Sequence, residues 1–174
     1  MKITQIIQPR GFRMKFISFL ILFFSTAALA DHHGHNAGKM SFVSNGQFEI
    51  TKIKSGDISF TAAGLKGLTN VGTSTYESIP TGTVLSFSCA ASSLDKDGQS
   101  TLYALCSVKD KDGNEFSMEN NRVGIIGQGG PGDSVLRGVS GKYANLMGTC
   151  KYVPTYMMND GVFVSVAFDC DMKH

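Results

Sequence analysis

"GTCKYVPTYMMNDGVFVSVAFDC", residues 148–170, carries the pattern that decides the fold. Two runs of alternating apolar residues flank Asn159-Asp160-Gly161. Asp-Gly in that setting is a hairpin turn, because glycine supplies the positive φ the turn requires. Counted as a three-residue loop, the turn puts Met158 opposite Val162 and, further down the ladder, Cys150 opposite Cys170. Tyr152, Pro154 and Tyr156 then share the cysteine face with Phe168, Val166 and Val164. Lys151, Thr155, Ser165 and Asp169 fall on the other. One register thus predicts both an apolar inner face and a cross-strand cysteine pair.

The same grammar runs through the chain. Short runs rich in Val, Ile, Phe, Thr and Ser are separated by Gly, Asp and Asn, and no segment after residue 40 keeps a helical period over three turns. Candidate strands cover 46–53, 57–64, 83–91, 100–109, 115–120, 122–127, 134–141, 148–156 and 162–170. Eight or nine such strands predict an all-β domain, a single antiparallel barrel of about eight strands. "DKDG" occurs at 95–98 and at 110–113. At the first, a two-residue Asp97-Gly98 loop sets Cys89 opposite Cys106, whereas a three-residue loop sets Cys89 opposite Leu105. At the second, the three-residue count aligns Phe116 with Val108 and Met118 with Cys106. The expected bridges are Cys89–Cys106 and Cys150–Cys170. A four-thiolate zinc site is the alternative, but no C-x-x-C pair is present to build one.

The N-terminus sets the compartment. "FISFLILFF" (16–24) follows Arg10, Arg13 and Lys15 and precedes Ala28-Leu29-Ala30, the three parts of a secretory signal peptide. The run is shorter than the ~20 residues a spanning helix needs. The expected organisation is a signal peptide over 1–30 (with Met14 a candidate true start), a mobile His-rich tail over 31–40, and the barrel over 41–174. No membrane span is expected after cleavage. The mature chain would hold 144 residues, one ordinary domain. Lys2, Arg10, Arg13 and Lys15 leave with the signal, so 16 basic residues become 12 against 14 acidic ones and the formal charge moves from +2 to −2. The mature part has no basic run, which argues against nucleic-acid binding. Four cysteines in an exported chain read as two disulfides in a periplasmic or secreted protein of bacterial type.

Residues 132–152, "GDSVLRGVSGKYANLMGTCKY", resemble a recurring segment of the allene oxide cyclase and dirigent type of β-barrel. There a G-x-G-x-[FY]-x-x-x-x-G-x-x-x-[FY] pattern joins neighbouring strands through one helical turn. Gly138, Gly141, Tyr143, Gly148 and Tyr152 follow it, with a longer first glycine spacing and with Cys150 where glycine or alanine is common. The resemblance implies an eight-stranded antiparallel barrel, often a homo-oligomer. It does not imply one activity, since such barrels include cyclases, stereo-directing proteins and bacterial exported proteins.

Chemistry-bearing groups are sparse. Every histidine lies in the tail (His32, His33, His35) or at His174, so none is available inside the domain to activate a nucleophile. A catalytic carboxylate pair would have to be drawn from Glu77, Glu115 and Glu119, although parity sets Glu115 and Glu119 opposite the Phe116–Met118 face. Tyr76, Glu77, Tyr103 and Arg122 are polar groups that could line a barrel mouth. The "DKDG" segments open like calcium loops but lack the glutamate at position twelve. "GIIGQGGPGD" (124–133) has phosphate-loop glycines without the following Lys-Ser/Thr, and reads as a flexible lip. The methionines form no Met-x-x-Met ladder, and Met118 is expected in the core.

These observations predict non-enzymatic binding of a small apolar ligand or a protein partner. Two alternatives stand beside it: a cyclase- or isomerase-like enzyme using the barrel interior, and Cu(II) or Ni(II) binding by the tail. Cleavage after Ala30 would free the α-amine of Asp31, which with two backbone amide nitrogens and the His33 imidazole makes a square-planar four-nitrogen set. His32 and His35 could add to it. Mass spectrometry should find Asp31 at the mature N-terminus, and His33→Ala should weaken Cu(II) binding in titration. Equal affinity in the two proteins would remove the four-nitrogen site.

Overall fold

The computed structural model describes residues 36–125, 130–157 and 162–173. They form eight antiparallel strands: β1 (Asn36–Ser55), β2 (Ile58–Ser74), β3 (Val84–Lys96), β4 (Gln99–Lys109), β5 (Glu115–Ile125), β6 (Gly132–Ser140), β7 (Met147–Met157) and β8 (Val162–Lys173). Each strand pairs with its sequence neighbour, and β1 pairs with β8, so the sheet closes into a barrel. Both cysteine pairs form as the alternation requires. Cys89 faces Cys106 and Cys150 faces Cys170, with Cα atoms 4.0 Å apart in each disulfide. The β3–β4 loop has two residues. Asp97 and Gly98 both take positive φ (52° and 78°), and Lys96 pairs with Gln99. That conformation matches the right-handed twist of the flanking strands and settles the register left open between the two loop counts.

Three strands differ most from the sequence expectation, and one is β2, which continues to Ser74 well past the expected end at Gly64. β1 begins at Asn36, not near Gly46, so residues 36–40, read above as part of the tail, pair with β8. Met40 is buried at the core there. The polar run from Ser44 to Gln47 hid this strand, yet Ser44 sits inside with its hydroxyl 2.7 Å from that of Thr69. The run 115–120 and the described part of the run 122–127, as far as Ile125, are one strand, β5. The adjacent asparagines Asn120 and Asn121 suggested a break but continue the ladder to Tyr103 and Ala104.

The two ends of the barrel are unlike. At one, the connection between β6 and β7 is a single 3-10 turn (Gly141–Tyr143) that folds beneath the strands. Gly138 lies against the backbone of Tyr143 and Ala144, where any side chain would collide. Its N–H donates to the Leu146 carbonyl at 2.7 Å. Gly141 has φ +61° and a Cβ there would strike the Asn114 side chain. These positions of the glycine–aromatic pattern thus have steric causes. Tyr143 and Leu146 from this turn and Ile79 from the β2–β3 connection are almost fully buried, and they fill the end together with Phe116, Leu136 and Met172. Tyr143 meets Phe116 edge-to-face at 5.5 Å.

Asp110 ties the neighbouring β4–β5 turn to this plug. Its carboxylate accepts from the N–H groups of Asp112 and Asn114 and from the Asn114 side chain. Lys142 Nζ lies 2.9 Å away. Burial would push the Asp110 carboxyl up, but these hydrogen bonds from Asn114, Lys142 and Asp112 outweigh it and hold the group well below the usual carboxylate range.

Replacing Cys150 and Cys170 together by alanine should lower unfolding free energy by roughly 3 kcal/mol in denaturant titration, chiefly by freeing the unfolded chain. Non-reducing peptide mapping of the wild type should return only the two bridges described. A Cys106–Cys150 bridge would refute the register.

Candidate functional site

Parity decides which side chains enter the barrel, and the opposite end is where they leave space. The inward positions of β5 are Phe116, Met118, Asn120 and Arg122, rising from the plug toward this end. Cys89–Cys106, Met118, Tyr152, Phe87 and Phe168 make a floor at mid-height. Tyr152 and Phe168 lie 5.5 Å apart, and Phe168 stacks on Phe42 at 4.5 Å. Above the floor stand small residues, Ala91 and Ala104, facing Pro154, Val164 and Val166. The result is a cavity of about 70 Å3 open at this end. A second, of about 130 Å3, lies toward the β1–β3 rim and shares Phe48, Ala91, Leu102 and Tyr156 with the first.

The walls are apolar except for a few groups. Asn120 and Tyr152 are 7% and 5% exposed, so their polar atoms must find partners inside. Asn120 Nδ2 donates to Cys106 Sγ at 3.4 Å, a weak acceptor. Asn120 Oδ1, the Tyr152 hydroxyl and Arg122 Nη1 are buried with no hydrogen-bond partner. Among the described residues no ion pair includes Arg122 and no carboxylate lines the cavity. Burial pushes the Tyr152 phenol up to about 12, against the opposing effect of the Arg122 charge. It therefore keeps its proton at neutral pH. Tyr152 can lie flat here because its partner across the ladder is Gly132, where a side chain would overlap the phenol ring.

The other candidates from the sequence lie elsewhere. Of the four polar groups considered for the mouth, only Arg122 reaches it. Tyr103 is 43% exposed on the outer wall, and Tyr76 and Glu77 belong to the β2–β3 connection at the plugged end. Glu115 accepts from the Ser107 hydroxyl at 2.6 Å and pairs with Lys109 at 3.3 Å, which together lower its pKa; it forms no dyad with Glu119. Met118 is core, as expected. Asp31, His32, His33, His35 and His174 lie outside the described residues, as do 126–129 of the glycine-rich lip. Among the described residues no group of three His, Cys, Asp or Glu side chains could hold a metal ion. None of their helices is long and apolar enough to cross a membrane. Asn120 ends the run 115–120 at the parity of Phe116 and Met118, so alternation alone sets it inside; its polar side chain at a strand end is what kept it from being read as an inward group.

No protein-family model and no curated protein matches this chain.

Because the phenol is pushed up, the folded state binds more protons than the unfolded chain between the ordinary value of 10 and about 12. The contribution of Tyr152 is full below pH 10 and lost as pH rises through 12. Denaturant midpoints should therefore fall across this window, and the fall should be shallower in Tyr152→Phe.

Proposed function

We propose that this chain is an exported binding protein, periplasmic or secreted, whose barrel takes a small, mainly apolar ligand at its open end without turning it over. The observation that carries this reading is the asymmetry of the interior. Tyr143, Leu146 and Ile79 fill one end completely, while Ala91 and Ala104 leave apolar volume at the other. An eight-stranded barrel has room either for side chains or for one small ligand. For scale, a dry apolar cavity of about 150 Å3 takes up benzene. Two disulfides inside the wall support an oxidising compartment.

A cyclase- or isomerase-like activity is the second reading, favoured by the unpartnered Arg122 and Tyr152 in the cavity. Binding is preferred because Tyr152 holds its proton until about pH 12 and, among the described residues, neither carboxylate nor imidazole lines the cavity beside it. General acid–base chemistry works best with a group near the operating pH.

Ala91 stands in the wall shared by both cavities, so Ala91→Phe should fill them. Indole or toluene should bind the wild type in NMR titration, and the variant should bind at least ~10-fold more weakly, about 1.4 kcal/mol, with its fold retained. Equal binding in a folded variant would overturn the proposal.

A further inference from the structure

Resting on that reading, we propose that the open end is a carboxylate-recognition site. In it Arg122, helped by Tyr152 and Asn120, takes the head group of a small monocarboxylate whose body packs against the apolar wall. The first support is an imbalance. Arg122 is half-buried, but its Nη1 is enclosed with no acceptor, and among the described residues no Asp or Glu lines the cavity to neutralise it. Leaving a buried donor unmade costs the full desolvation of that group, more so for a charged one. A fold that retains such a group leaves a demand that a ligand can meet.

The second support is the kind of demand. Arginine presents paired N–H donors whose fork matches the two oxygens of a carboxylate. The Tyr152 hydroxyl, which stays protonated, supplies a further donor from β7 in the same cavity. Asn120 Oδ1 faces the opposite requirement, an acceptor without a donor. A hydroxyl or amide N–H beside the carboxylate would satisfy it. Among the described residues no lysine lines either cavity, and Arg122 is the single formal positive charge there. One charge suits a monoanion better than a phosphate dianion. The third support is size: cavities of about 70 and 130 Å3 admit an aryl or short-chain body rather than a long coiled chain.

Arg122 and the small residues divide the work. The alanines make room and the arginine selects. Without a ligand, Arg122 destabilises the protein that carries it, which is expected of a group kept for recognition.

Calorimetric and NMR titration of the mature chain with short-chain and aryl monocarboxylates, from butyrate to 3-phenylpropionate, tests this against their neutral amides and against phenyl phosphate. The acids should bind at least ~10-fold more tightly than the amides, as expected for a hydrogen bond to a charged group. Arg122→Met should abolish that preference while leaving amide binding in place. It should also raise the melting temperature of the ligand-free protein, and Arg122→Lys should retain part of the preference. Equal affinity of acid and amide for the wild type, or an acid preference that survives in folded Arg122→Met, would overturn the head-group assignment and leave the apolar binding reading standing. Tighter binding of phenyl phosphate than of any carboxylate would overturn the choice of anion. Failure of every acid and amide to bind would overturn both proposals.

Discussion

Everything in this fold depends on the pairing of β1 with β8. It makes the sheet endless, so the open edges that would invite another chain are gone. It also makes the side-chain alternation consequential. In a closed barrel one parity of every strand enters a space of fixed width, and a slip by one residue would invert inside and outside for a whole strand. The disulfides act at this level. Each bridges directly facing inward positions on adjacent strands, at Cys89–Cys106 and Cys150–Cys170, and so covalently marks one register of its hairpin. Their worth lies partly in stability and partly in forbidding the slipped ladder, such as the alternative that faces Cys89 with Leu105.

Closure also creates a volume that must be accounted for. Toward the plugged end the inward residues are large, and the 3-10 turn after β6 adds Tyr143 and Leu146 from outside the sheet. That turn fits only because Gly138 allows backbone-to-backbone contact and Gly141 leaves room for Asn114. Asp110 and Lys142 then fasten it to the β4–β5 turn. Toward the open end the same positions hold alanine on β3 and β4, and no connection folds inward among the described residues. The interior is thus a filled base carrying an unfilled cup.

Much of this is written locally in the sequence. The face shared by Tyr152, Pro154 and Tyr156 with Val164, Val166 and Phe168 follows from one Asn-Asp-Gly turn and strict parity, and all six residues line the cavity. The register of β4 and β5 follows in the same way, with Val108 on Phe116 and Cys106 on Met118. What sequence reasoning lost, it lost where polar residues occupy inward positions. Ser44 broke the apolar rhythm of β1, although its partner Thr69, which no local pattern reveals, satisfies it across the ladder. Asn120 and Arg122 broke that of β5. Asn120 shares the parity of Phe116 and Met118 within the run 115–120, whereas the facing of Arg122 follows only once the strand is continuous through Asn121. Hydrophobic periodicity is a signal of ordinary core, and it fails where the interior is used for something other than packing.

That failure is itself informative about β5. Phe116 and Met118 obey the packing rule, and Asn120 and Arg122, two and four residues on, violate it on the same face. Had the strand needed only to fill space, an aliphatic residue at 122 would satisfy every neighbour in the wall, where Leu102 is its cross-strand partner. An arginine there costs desolvation at its enclosed Nη1 and meets no carboxylate among the described residues that line the cavity. The switch from apolar to polar occurs just above the floor made by the Cys89–Cys106 bridge and Met118, at the height where the cavity opens. A packing defect has no reason to begin at that height. A recognition element does, because a group meant to meet a ligand must stand where the ligand can reach it.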